Sequence, residues 1–148
     1  MNPGDLAPDF TLDDQDGNCV TLSKLLTTGP VVLFFYPAAM TKGCTKEACN
    51  FRDLGAEFTA LGAQRIGISM DSVERQKQFA QGSTLDYPLL ADTDGAAARS
   101  YGVKRALDFL KVRRTTFVIG TDGKLLDVIA HEMNMNVHAD RALSALRA

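Results

Sequence analysis

Residues 30–53 read PVVLFFYPAAMTKGCTKEACNFRD, and the passage from the first half of this stretch to the second decides the fold. The run Val31–Tyr36 is apolar without alternation. That is the pattern of a strand covered on both faces, a central strand in a parallel or mixed sheet. After Pro37 the period changes. Apolar residues Cys44, Ala48, Phe51, Leu54, Phe58 and Leu61 recur at three and four, which predicts one amphipathic helix from Thr41 to Leu61.

The rest of the chain completes the unit. QRIGIS (64–69) predicts a strand, SVERQKQFAQG (72–82) a helix closed by Gly82, and YPLLAD a short strand before a small helix at 96–101. Residues 114–130 predict a β-hairpin around Asp122-Gly123, and 137–146 a closing amphipathic helix. Upstream, Asp9–Leu12 and Cys19–Leu22 flank the turn-rich DDQDGN and predict an edge hairpin. The Asp-Gly pairs at 16–17, 94–95 and 122–123 are read as turns only. The order predicts a single α/β domain over residues 1–148, with a mixed central sheet, helices on both faces and an N-terminal β-hairpin. It is similar to the order of a thioredoxin-like fold.

Composition narrows the function. A chain of 148 residues can bury about two-thirds of its unfolded surface. With 45% hydrophobic and 23% charged residues it is built to fold rather than to stay disordered. A formal charge of −2 without a basic stripe argues against nucleic acid as a partner. VVLFFY is too short to span a bilayer, so no membrane partner is expected. The N-terminus MNPGDLAPDF has neither a cationic nor an apolar leader segment, and only three cysteines follow. A reducing compartment, the cytoplasm, is the expected location, where paired thiols serve catalysis, sensing or metal binding more often than structure.

Cys44 falls in the first turn of the 41–61 helix, where free N–H groups and the positive end of the helix dipole favour an anion. Lys42 would act in the same sense if it pointed inward. Thr41 could cap the helix or donate its hydroxyl to the sulfur or to a ligand beside it. The competing reading is a small apolar residue packed under a helix, a common fate of unpaired cysteines. Cys49 sits five residues on. In an ideal helix such residues are about 7.5 Å apart along the axis and about 140° apart in direction, so their Cα atoms stand roughly 8–9 Å apart. That exceeds the ~7 Å limit for an unstrained disulfide. A bond between the two requires the first turns to unwind, which suits a transient bridge; the alternative for Cys49 is a plain core residue. The C-x4-C spacing and two distant histidines, His131 and His138, form no usual zinc pattern. The histidines are expected on the surface or capping elements, and Cys19 as a packed strand residue.

PAAMTKGC (37–44) fits the pattern P-x-x-x-T-x-x-C of peroxiredoxins, and GCTKEACNFRD resembles the bacterioferritin-comigratory-protein, or peroxiredoxin Q, subfamily. APDFTL near one end and RTTFVIGTDGKL near the other resemble segments of the same subfamily in the same order, and YPAAMT resembles its actinobacterial branch. The resemblance implies a thiol-dependent peroxidase that reduces hydrogen peroxide and organic hydroperoxides. Cys44 would be the peroxidatic cysteine and Cys49 the resolving one. Thr41 would hydrogen-bond the peroxide, Pro37 would pack over Cys44, and Arg114 would pair with the thiolate and peroxide oxygens. Glu47, in a C-x-x-E pattern, would orient Arg114. The resemblance further implies no metal or other cofactor, a thioredoxin or glutaredoxin-like reductant, and a monomer or weak homodimer.

Alternation along the strand lets only one of Arg113 and Arg114 face the site, and the family pattern favours Arg114. Pro37 could simply end its strand, and Glu47 could merely satisfy the helix dipole. Lys42 stands where many relatives carry proline, and KRALDFLKVRR (104–114) is a short, basic approach to the arginine strand. The rival function is a redox sensor using the same disulfide without turnover.

Overall fold

The computed structural model describes residues 1–106 and 111–148. Seven strands form one sheet: β1 (Thr11–Asp13), β2 (Cys19–Thr21), β3 (Val31–Phe35), β4 (Gln64–Ser69), β5 (Leu89–Ala91), β6 (Thr115–Ile119) and β7 (Leu125–Ala130). Their spatial order is β2-β1-β5-β4-β3-β6-β7. The β3–β4 and β4–β5 pairs are parallel, and the pairs toward either edge are antiparallel. Six helices accompany them among the described residues: α1 (Leu22–Leu25), α2 (Lys42–Asp53), α3 (Gly55–Ala60), α4 (Val73–Gly82), α5 (Ala96–Ser100) and α6 (Asn136–Arg147). The sequence pattern did not single out α1, a single turn.

Every residue of β3 is buried, as its unbroken apolar run predicts. Successive side chains alternate between two cores. Val32, Phe34 and Tyr36 meet Phe51, Phe58, Phe79 and the apolar face of α6 on one side. Val31, Leu33 and Phe35 meet Leu22, Ala98 and Tyr101 on the other. The mixed sheet with helices on both faces and an N-terminal hairpin is a thioredoxin-like fold.

Two expectations about elements need correction. The predicted 41–61 helix is two helices, α2 and α3, interrupted at Leu54, whose φ of −93° and ψ of 15° leave the helical path. The Arg65 guanidinium causes the break. It donates to the Phe51 carbonyl at 2.9 Å and to the Asp86 carboxylate, and a Cβ on Gly55 would stand 3.0 Å from it. Cys19 is exposed at the edge strand β2 instead of packed, its thiol 3.5 Å from an Asp13 oxygen. In the basic segment 104–114, residues 107–110 lie outside the described residues; Lys104 and Val112 bridge around them.

Phe51 fastens α2 to the sheet. Its ring stacks on Phe34 with centroids 4.3 Å apart and touches Phe58 at 5.7 Å. Phe51→Ala should cost about 3–5 kcal/mol of stability, read by urea unfolding of the reduced protein. A loss below about 1 kcal/mol would mean that α2 is held by other contacts.

Candidate active site

The register of the sheet brings three chain reversals to one end. Phe35 pairs with Thr115, so the end of β3 lies beside the start of β6. Thr115 pairs with Ala130, so the end of β7 lies there too. The loop into α2, the residue before β6 and the segment from β7 into α6 therefore converge.

Cys44 occupies the first turn of α2 and is 1% exposed. Arg114, immediately before β6, reaches it: Nη2 donates to the Cys44 sulfur at 3.3 Å. The neighbouring nitrogen Nη1 donates to Glu47 Oε1 at 2.8 Å, so one planar fork serves a sulfur and a carboxylate. Glu47 is fully buried and Arg114 nearly so. Burial works against the Arg114 charge, but Glu47 and Cys44 outweigh it and hold the guanidinium protonated. Burial pushes the Glu47 carboxyl up to about 7, against the pull of Arg114. The folded chain thus holds that proton more tightly than the unfolded one. The resulting stability is complete at low pH and fades as pH rises through about 7.

The loop before the helix is fastened from the far side. The Ala39 N–H donates to Asp71 Oδ2 at 2.7 Å, and Arg75 bridges Asp71 and the Ala39 carbonyl. Met40 adopts φ 65°, the left-handed region, directly before Thr41. Thr41 begins the helix with its backbone, but its hydroxyl neither caps the helix nor touches the sulfur; it donates to the Ala38 carbonyl at 2.9 Å. Pro37 is buried at the end of β3, and Lys42 is exposed instead of turned inward. Arg113 is exposed while Arg114 is buried, which resolves the alternation between them in favour of Arg114 facing the thiol. Cys49 is half-buried on the same unbroken helix, and all three thiols are free. The Cys44 sulfur lies beneath the surface.

Sequence reasoning missed several participants. His138, expected on the surface or capping an element, is fully buried behind Glu47: its Nδ1 is 3.5 Å from Glu47 Oε2 and 2.8 Å from the Thr116 hydroxyl. The cause is α6, which buries His138, Ala139, Ala142 and Leu143 as one stripe. Spacing at i, i+1, i+4 and i+5 was the available signal. Gly43 leaves room for the arginine, since a Cβ there would stand 3.3 Å from Arg114 Nη2 and 3.5 Å from Met135 Cε. His131 is exposed, as expected, and accepts from the Asn134 N–H. Among the described residues no group of three or more His, Cys, Asp or Glu is placed to hold a metal, and no helix is long and apolar enough to cross a membrane.

A thioredoxin-like sheet that presents a buried thiol at a helix N-terminus to a buried arginine defines a thiol-redox protein. The AhpC/TSA family profile matches residues 3–128. The crystal structure of peroxidoxin BcpB from Mycobacterium tuberculosis superposes with a TM-score of 0.95 at 57% identity, over 99% of this chain and 97% of that one. The Xanthomonas campestris bacterioferritin comigratory protein superposes with a TM-score of 0.85 at 29% identity, over 93% and 90%. Chloroplastic peroxiredoxin Q of Sedum lineare is 39% identical across this whole chain and 79% of its own length. The chain belongs to the AhpC/TSA family, in its bacterioferritin-comigratory-protein or peroxiredoxin Q branch, and is a thiol-dependent peroxidase that draws on a thioredoxin-type reductant.

Proposed function

We propose that Cys44 is the peroxidatic residue and Cys49 the resolving one, in a cycle that closes through an internal disulfide. The contact that carries this reading is Arg114 Nη2 on the Cys44 sulfur at 3.3 Å, inside a nearly closed site at a helix N-terminus. The Cys44 thiolate attacks the terminal oxygen of a hydroperoxide and the O–O bond breaks. Cys44 becomes a sulfenic acid, and the departing alkoxide or hydroxide takes up a proton. Negative charge grows on that leaving oxygen, where Arg114 and the free N–H groups of α2 stabilise it as an oxyanion hole would. Thr41 turns its hydroxyl from Ala38 to the substrate, Pro37 keeps water off the sulfur, and Glu47 holds the guanidinium in place. Both hydrogen peroxide and organic hydroperoxides are proposed substrates; alkyl peroxide reduction is the activity named for the Xanthomonas relative.

Resolution requires the start of α2 to open, because helical spacing keeps the two Cα atoms beyond disulfide reach. The anchors of α2 are unevenly spread in a way that permits this. Its second half is tied down by the Tyr87 hydroxyl on the Ala48 carbonyl at 2.7 Å, Arg65 on the Phe51 carbonyl, and the Asn50–Asn136 side-chain bond. Among the described residues, the side-chain hydrogen bonds of residues 42–47 come from Arg114 alone, on the Cys44 sulfur and on Glu47. The Cys49 thiolate then attacks the Cys44 sulfenic sulfur, the S–S bond forms and the S–O bond breaks, and the hydroxide leaves as water on taking up a proton. Thioredoxin or a glutaredoxin-like dithiol reopens the disulfide by exchange. The protein acts in the cytoplasm as a monomer or weak homodimer.

Cys49→Ser is the test. It should complete the first turnover, accumulate Cys44 sulfenic acid and stop without an internal disulfide, as seen by non-reducing mass spectrometry with a sulfenic-acid trap. A Cys19–Cys49 bridge in the oxidised wild type would overturn the assignment. Sustained peroxide consumption with donor separates the enzyme from a sensor, which would stall after one oxidation.

A further inference from the structure

The Glu47 carboxylate has two oxygens, and only Oε1 meets Arg114. Oε2 is buried with no hydrogen-bond partner among the described residues and faces His138 Nδ1 at 3.5 Å. The His138 tautomer follows from its other contact. Nε2 lies 2.7 Å from the His131 carbonyl, which can only accept, so Nε2 carries a hydrogen. In the neutral ring Nδ1 then bears a lone pair, which accepts from the Thr116 hydroxyl. An ionised Glu47 would set a bare carboxylate oxygen against that lone pair, in a site closed to water. Such an arrangement is costly unless a proton lies between the two.

Charge counting points the same way. With Cys44 as the reactive thiolate, it and an ionised Glu47 would be two buried anions served by one buried cation, Arg114. One proton held by Glu47 or His138 brings the cluster to neutrality. The other groups facing the pair are Glu132, whose carboxylate takes the Arg114 backbone N–H at 3.3 Å, the His131 ring, and Tyr87. Glu132 is itself paired with Arg105, at 3.8 Å, so its charge is met from outside the pair.

We infer that Glu47 and His138 share one proton behind Arg114, and that His138 is thereby a positioning residue for the peroxidatic thiolate. The proton sits on Oε2 and is donated to Nδ1 once the Thr116 hydroxyl turns off that lone pair, or sits on Nδ1 and is shared between Oε2 and the Thr116 oxygen. In either place it relieves Arg114 of a full negative charge on its Glu47 side and leaves Nη2 to the sulfur. Burial raises Glu47 to about 7 and lowers His138 to about 4, which places the pair's proton on the carboxyl near neutrality. The inference rests on Cys44 being the reactive thiol.

The test follows the imidazole nitrogens of His138 by ¹⁵N NMR in the full-length reduced protein from pH 5 to 9, in the wild type and in Cys44→Ser. Nδ1 should shift with a midpoint near neutrality while Nε2 stays protonated. In Cys44→Ser the midpoint should fall by about one pH unit, because the anion that favours the proton is gone. In parallel, the pH profile of Cys44 alkylation should show a second ionisation in the wild type that His138→Gln displaces along the pH axis. Nitrogen shifts that stay flat, or that are identical in the two proteins, would overturn the inference, as would superimposable alkylation profiles. Should His138→Gln not fold, the nitrogen titration decides alone. It needs no peroxide turnover, so its failure is distinct from failure of the peroxidase assignment.

Discussion

Replacing Cys44 by serine should reduce peroxide consumption to the level of a blank without enzyme, with thioredoxin or a glutaredoxin-like donor in excess. A serine hydroxyl in the same place is not ionised near neutral pH and is a far poorer nucleophile toward an O–O bond than a thiolate. The fold should survive, because the change is nearly isosteric and Arg114 keeps its bond to Glu47 at 2.8 Å. Circular dichroism and the urea midpoint therefore serve as controls. Peroxide consumption above blank with retained structure would shift the peroxidatic role to another thiol. Cys49 is half-buried on the same helix, and Cys19 is exposed on the opposite sheet edge.

The second large effect is expected at Arg114. Arg114→Ala removes the donor at 3.3 Å from the sulfur and should slow single-turnover peroxide reduction by about 10²–10³-fold, the range for one preorganised oxyanion donor. Stopped-flow mixing of the reduced protein with peroxide measures it. Lysine should restore little of the rate, because one ammonium cannot reproduce a fork that serves the sulfur and Glu47 at once. Breaking a buried ion pair costs about 3–5 kcal/mol when the stranded charge persists. Here Glu47 can escape by taking up a proton, since burial already raises it to about 7. Stability should accordingly fall less at pH 6 than at pH 8. Arg113→Ala is the control: it is exposed, and a comparable rate loss there would move the catalytic role one residue back.

Much of this was readable along the chain, for a physical reason. The unbroken run Val31–Tyr36 could only be covered on both faces, and apolar residues at three and four after Thr41 could only be helix. Those two patterns by themselves put Cys44 at a helix start. Local pattern also carried the hairpin over 114–130 and the N-terminal edge hairpin. It failed where a distant side chain intervened. The split between α2 and α3 comes from Arg65, which reaches the Phe51 carbonyl from β4. The burial of His138 comes from the docking of α6 against β6, β7 and α2.

The amino-acid sequence by itself determined the order of elements, the two faces of the central strand and the thiol pair on one helix, because each depends on residues a few positions apart. The tertiary structure alone decided which arginine meets the sulfur, how deeply that sulfur lies and what stands behind Glu47. The arginine contacts alone join residues 67 to 70 positions apart. Register between β3, β6 and β7 sets them, and no local period of the chain encodes that register.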